Sequence, residues 1–110
     1  MVAPLADIEK VLADMRIAIN NHKCTLVPRR INMDSLARLG ILAADVLSEM
    51  YTLTSADYVS GPLVDRDAPS SDCLWVFKKS VCGNIIYIKF KVIYQINGDV
   101  RIVSFHFDNI

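Results

Sequence analysis

A chain of 110 residues with 53% hydrophobic side chains has enough apolar material for one packed domain, residues 1–110, and too little length for two. Its mean hydropathy of +0.32 excludes a disordered chain, and no apolar run approaches the roughly 18 to 20 residues that span a bilayer. Net charge is zero but unevenly divided: residues 1–72 carry seven basic and ten acidic side chains, residues 73–110 five basic and two acidic. From Cys73 to Gly98 there are four lysines and no carboxylate, so the C-terminal third has a positive field of its own. Three cysteines have no framework spacing, and Met1 to Asp7 lacks the basic region and apolar block of a secretion signal. A cytoplasmic protein without membrane contact is expected.

Leu5, Ile8, Leu12, Met15 and Ile19 recur at steps of three and four, with Val11 and Ala18 alongside. That is one face of an amphipathic helix ending near Asn20-Asn21. His22-Lys23-Cys24 has no second ligand pair at a zinc-site spacing, so the cysteines read as structural or incidental and no metal is expected. Cys24-Thr25-Leu26-Val27-Pro28 is β-prone and stopped by proline, an edge strand or a connector. Asn32 or Asp34 is placed to cap a second helix through Leu36 and Leu39, ended by Gly40. A third helix follows from about Ala43 to Tyr51, burying Val46, Leu47 and Met50. Thr54-Ser55-Ala56-Asp57 has the form of a capping box and predicts a further helical turn. The 13 residues from Ser60 to Asp72, with Gly61, Pro62 and Pro69, keep no period and read as a loop, long enough to be functional.

Cys73 to Asp108 reads as two consecutive β-hairpins. The first turn lies at Cys82-Gly83-Asn84 and has two registers, pairing Phe77 with either Ile88 or Phe90; both put Trp75 and Phe77 on the apolar face and Lys78 and Ser80 on the other. The second, Asn97-Gly98, is the strongest short-range signal for a two-residue turn. It makes Ile96 the partner of Asp99, with Val92 facing Val103, Phe90 facing Phe105 and Ile88 facing Phe107 on an apolar surface. On the opposite surface Lys91 faces Ser104 and Lys89 faces His106, with Tyr87 next along the strand. The helices must then cover the apolar surface. The expected fold is α+β, with N-terminal helices on one face of a C-terminal antiparallel sheet.

The polar surface collects the residue types that cleave RNA by proton transfer. One group must take a proton from the 2′-hydroxyl, one must give a proton to the departing 5′-oxygen, and cations must neutralise the charge building on phosphate. Histidine suits either proton role, tyrosine can donate a proton or stack a base, and lysine clamps phosphate. Each of these has a plainer alternative. His106 is also an ordinary polar residue on an open face, Tyr87 a common strand residue, and lysines on a sheet face serve solubility. Lys79 points away from Lys78 and is expected to snorkel at a sheet margin.

Asp57-Tyr58-x-x-Gly61-Pro62, Trp75-x-Phe77, Tyr87-Ile88-Lys89 and Ile102-Val103-Ser104-Phe105 occur in an order and spacing that resembles the MqsR family, toxins of type II toxin–antitoxin systems. The resemblance runs from Leu26-Val27-Pro28-Arg29 to the C-terminus, with Leu39-Gly40 and Leu53-Thr54 between. It implies a RelE-like fold and a metal-independent endoribonuclease acting on free or ribosome-bound mRNA, with no cofactor, neutralised by a cognate antitoxin. Tyr87 and Lys89 match the family's Tyr-x-Lys, and His106 stands in the slot of a lysine. Ser60 replaces a lysine and Val76 a polar residue. On this basis His106, Tyr87, Lys89 and Lys78 are the expected catalytic residues. Lys91, Ser104, Arg66 and Ser60 are the expected RNA contacts. The competing classes are a non-catalytic RNA- or antitoxin-binding module and a pure protein-interaction domain.

Overall fold

The computed structural model describes residues 2–69, 72–94 and 98–108. The steps of three and four are obeyed in α1, Leu5–Asn20, which buries Ile8, Val11, Leu12, Met15 and Ala18. Strand β1, Cys24–Leu26, is followed by α2, Arg30–Leu39, and α3, Ala43–Tyr51. Gly40, at φ 72°, closes α2 in the left-handed conformation that glycine takes without strain. The expected cap is present in a 3₁₀ turn, Ser55–Asp57, where Thr54 N donates to Asp57 Oδ2 at 2.9 Å. Then come β2, Tyr58–Leu63, β3, Leu74–Val81, β4, Asn84–Ile93, and β5, Asp99–Phe107.

These form a 5-stranded sheet in the order β1-β5-β4-β3-β2. Every pairing is antiparallel except that of β1, an edge strand running parallel to β5. The helices cover one sheet face. Leu12, Met15, Val46 and Met50 close over Phe77, Ile88, Phe90, Ile102 and Phe105, all fully buried. The architecture is α+β as the hydrophobic pattern predicts. No helix among the described residues is long and apolar enough to cross a membrane.

The first hairpin adopts one of the two registers open to it. Phe77 pairs with Ile88 across a turn at Cys82 and Gly83, both at positive φ, 51° and 80°. The second hairpin departs from the two-residue turn. Val92 pairs with Val100 and Ile93, in place of Ile96, with Asp99; the expected turn residues Ile96 and Asn97, with Gln95, lie outside the described residues. Farther out, Ile88 pairs with Phe105 and Lys89 with Ser104, but Phe90 pairs with Ile102. Val103 is the extra residue of a β-bulge. It therefore leaves the apolar set, where strict alternation puts it, and reaches the opposite face. The cause is burial: Val100 and Ile102 must point inward before the bulge, Phe105 and Phe107 after it, and the bulge absorbs the odd step.

Two other expectations are corrected. The segment from Ser60 is not loop throughout, because β2 runs to Leu63 along β3 with irregular register. Proline is admitted there because β2 is an outer strand. Gly61 is required at φ 126°, where an added Cβ would lie 2.9 Å from the Leu74 carbonyl oxygen. Nor do Asn32 or Asp34 cap α2, which already starts at Arg30. Asn32 is instead fully buried against the outer edge of β5. Its Nδ2 donates to Val27 O and Val103 O, and its Oδ1 accepts from Phe105 N, each at 3.0 Å. The side chain does for β5 what a neighbouring strand's backbone does, just where β1 has ended. Replacing Asn32 with alanine strands the buried Phe105 N–H and should cost about 1–3 kcal/mol. Urea unfolding of the variant reads this directly, and an unchanged midpoint would contradict the edge-pairing role.

Candidate active site

The face of the sheet away from the helices is organised in cross-strand rows. One joins Lys78, Tyr87 and His106; the next joins Ser60, Val76, Lys89 and Ser104; a third pairs Lys91 with Arg101. Side chains opposite one another on a sheet share a face, so these rows bring the expected residues together. Tyr87 and His106 stack, with ring centroids 5.3 Å apart and planes 23° from parallel. His106 Nδ1 lies 3.0 Å from the Phe107 carbonyl oxygen. A carbonyl only accepts, so that contact puts the proton on Nδ1 and leaves the lone pair of the neutral ring on Nε2.

Segment 64–68 crosses this face and walls a cleft of about 930 Å³, lined by Tyr87, Lys89 and Lys91 from β4, Arg101 and Val103 from β5, and Arg29. What holds the segment down is an ion pair. Lys91 Nζ lies 2.7 Å from Asp65 Oδ2, and only 7% and 14% of the two side chains are exposed. The hydrogen bond from Lys91 holds the Asp65 carboxyl below its ordinary 3.8. Burial opposes this, and the amides of Asp67 and Ala68 assist. Asp65 Oδ1 also accepts from Asp67 N at 3.0 Å, which tightens the turn.

The lysines of this region are thus unequally committed. Lys78 is paired with Asp108 at 3.1 Å. Lys79, on the helix side as expected, meets Glu49 at 3.0 Å and donates to Thr52 Oγ1 at 2.6 Å. Lys91 is spent on Asp65. Among the described residues, half-buried Lys89 has neither an ion-pair nor a hydrogen-bond partner, and the same holds for exposed Arg66 and Arg101.

Several expected RNA contacts take on other work. Ser104 is buried, and its hydroxyl accepts from Arg29 Nη1 at 2.9 Å, so it supports an arginine and offers no surface hydroxyl. Lys91 anchors the loop. Ser60 sits two strands from Lys89, with buried Val76 between, beyond the reach of a short side chain. Arg66 does line the cleft. His106 does not, but stacks on Tyr87 at the cleft's end.

Arg29 and Arg101 were not among the expected residues. Arg101 has the parity of Val103 in an unbroken strand, and only the bulge lets it share a face with Ser104 and His106. A signal existed. Val100, Ile102, Phe105 and Phe107 are spaced two, three and two apart, and the step of three marks a bulge. Burial pushes the Cys24 thiol up to about 12, which keeps it protonated and unreactive. No protein-family model and no curated protein matches this chain.

The Asp65–Lys91 pair gives a signed pH dependence. A carboxyl lowered in the folded state stabilises the fold above 3.8, and the contribution is lost as pH falls below that value. Asp65→Asn should therefore melt below the wild type at neutral pH, with the gap narrowing as both are acidified below 3.8. Melting curves that stay parallel down the titration would show that the pair does not clamp the segment.

Proposed function

We propose that the protein is a metal-independent mRNA endoribonuclease, the toxin of a type II toxin–antitoxin pair, with a RelE-like fold and a resemblance to the MqsR family. The observation that carries this is the stacked Tyr87–His106 pair beside an uncommitted Lys89 on one open face. In this scheme His106 Nε2 takes the proton of a 2′-hydroxyl, and the freed oxygen attacks the adjoining phosphorus. Lys89 neutralises charge on the non-bridging oxygens, with Lys78 adding positive potential beside Tyr87. The Tyr87 hydroxyl gives its proton to the departing 5′-oxygen. The products are a 2′,3′-cyclic phosphate and a 5′-hydroxyl, so atoms and charge balance without an added reactant.

The substrate places the protein in the cytoplasm, and a toxin of this kind implies a cognate antitoxin. The cationic C-terminal third and the colinear motifs support the same conclusion. Purified protein should cut a mixed-sequence RNA in EDTA and leave cyclic phosphate ends. His106→Ala and Tyr87→Phe should each lose about 10²–10⁴ in rate. Intact RNA with the wild type, alongside salt-dependent binding, would replace the enzyme by a binding module. Variants that cut as fast as the wild type would move the chemistry off this face.

A further inference from the structure

We propose that the cleft beside the Tyr87–His106 pair is a track for the phosphates flanking the cleaved bond of a single-stranded RNA, with Arg101 as its main anchor. This rests on the nuclease reading of the face and deepens it by assigning binding residues that the sequence did not single out, Arg101 and Arg29, to the phosphates beside the cleaved linkage.

The electrostatics point there first. The lining carries five cationic side chains, Arg29, Arg66, Lys89, Lys91 and Arg101, against the two carboxylates Asp65 and Asp67. Asp65 is already matched by Lys91 at 2.7 Å. The remaining cations therefore outnumber the remaining carboxylate, in a chain whose total charge is zero. Arg101 stands opposite Lys91 on β4 and beside Thr25 on β1, so no carboxylate shares its row. A polyanion satisfies such a surface.

Geometry narrows the polyanion. Successive same-face positions along a strand are about 6.6–6.8 Å apart. The step from the Lys89 row to the Arg101 row is of this kind, comparable to the spacing of consecutive phosphates in an extended single strand. About 930 Å³ is far more room than one phosphate fills. Arg29 is pre-organised for the task. Its Nη1 donates to Val103 O at 3.0 Å and to Ser104 Oγ at 2.9 Å, which fixes the guanidinium at the cleft and leaves its other donors for a ligand. Tyr87, lining the same cleft, offers a ring face to a base.

The test uses non-cleavable 2′-O-methyl oligoribonucleotides of two to six nucleotides, read by fluorescence anisotropy over a salt series. Affinity should climb with length and then level off. Arg101→Ala, at an exposed position, should weaken the six-nucleotide probe about tenfold, reduce the salt slope by about 0.7, and leave the two-nucleotide probe unchanged. Arg30→Ala, a cation 94% exposed and outside the cleft lining, should bind as the wild type does. A six-nucleotide probe that binds no tighter than two nucleotides, or an Arg101→Ala protein with wild-type affinity, overturns the track. Length-dependent binding by a protein that leaves unmodified RNA intact would instead defeat the nuclease and leave the track standing.

Discussion

Burial of one sheet face beneath three helices decides which side chains of β3, β4 and β5 remain to meet a solute. Phe77, Ile88, Phe90, Ile102 and Phe105 are fully buried together, and the period of two sends Lys78, Tyr87, Lys89 and His106 to the other side. A slip of one residue would exchange the two sets, exposing phenylalanines and burying lysines, at a cost no small domain can absorb. The open face is in this sense a by-product of the core. Its chemistry is as firmly positioned as the packing beneath it.

The bulge at Val103 is where that rule bends to effect. It keeps the inward residues inward on both sides of an odd step, and in doing so it brings Arg101 onto the face of Ser104 and His106. It also needs support, because its backbone lies on the outer side of β5, past the end of β1. Asn32 and Arg29 both donate to the Val103 carbonyl, and Asn32 takes the Phe105 amide. Helix α2 thereby protects a strand edge and fixes an arginine at the cleft through the same short stretch of chain.

Charge pairing sorts the cations into structural and available groups. Lys79 ties β3 to α3, Lys78 meets Asp108, and Lys91 fastens the 64–68 segment through Asp65. The Lys91–Asp65 pair, only 7% and 14% exposed, is costly to break from one side, so it acts as an anchor more than as a ligand contact. What is left uncommitted, Lys89 with Arg66 and Arg101, clusters along one cleft. The unequal distribution of charge between the two parts of the chain is thus sharpened in three dimensions, from a net trend into a localised site.

Much of this was legible without coordinates, because it depends on local rules. The helical spacing of Leu5 to Ile19, the Gly40 stop, the cap at Thr54 and the alternation in β4 each follow from backbone geometry within a few residues. So does the facing of Tyr87, Lys89 and His106, since an even change of register leaves it untouched. The sequence by itself determined the fold class and the shared facing of Lys78, Tyr87, Lys89 and His106. Tertiary structure alone decided the register of the second hairpin, the edge role of Asn32, the capture of Lys91 by Asp65 and the arrival of Arg29 and Arg101 at the cleft. Those depend on residues distant along the chain coming within hydrogen-bonding reach, and of such meetings periodicity records only the three-residue step from Ile102 to Phe105 that marks the bulge.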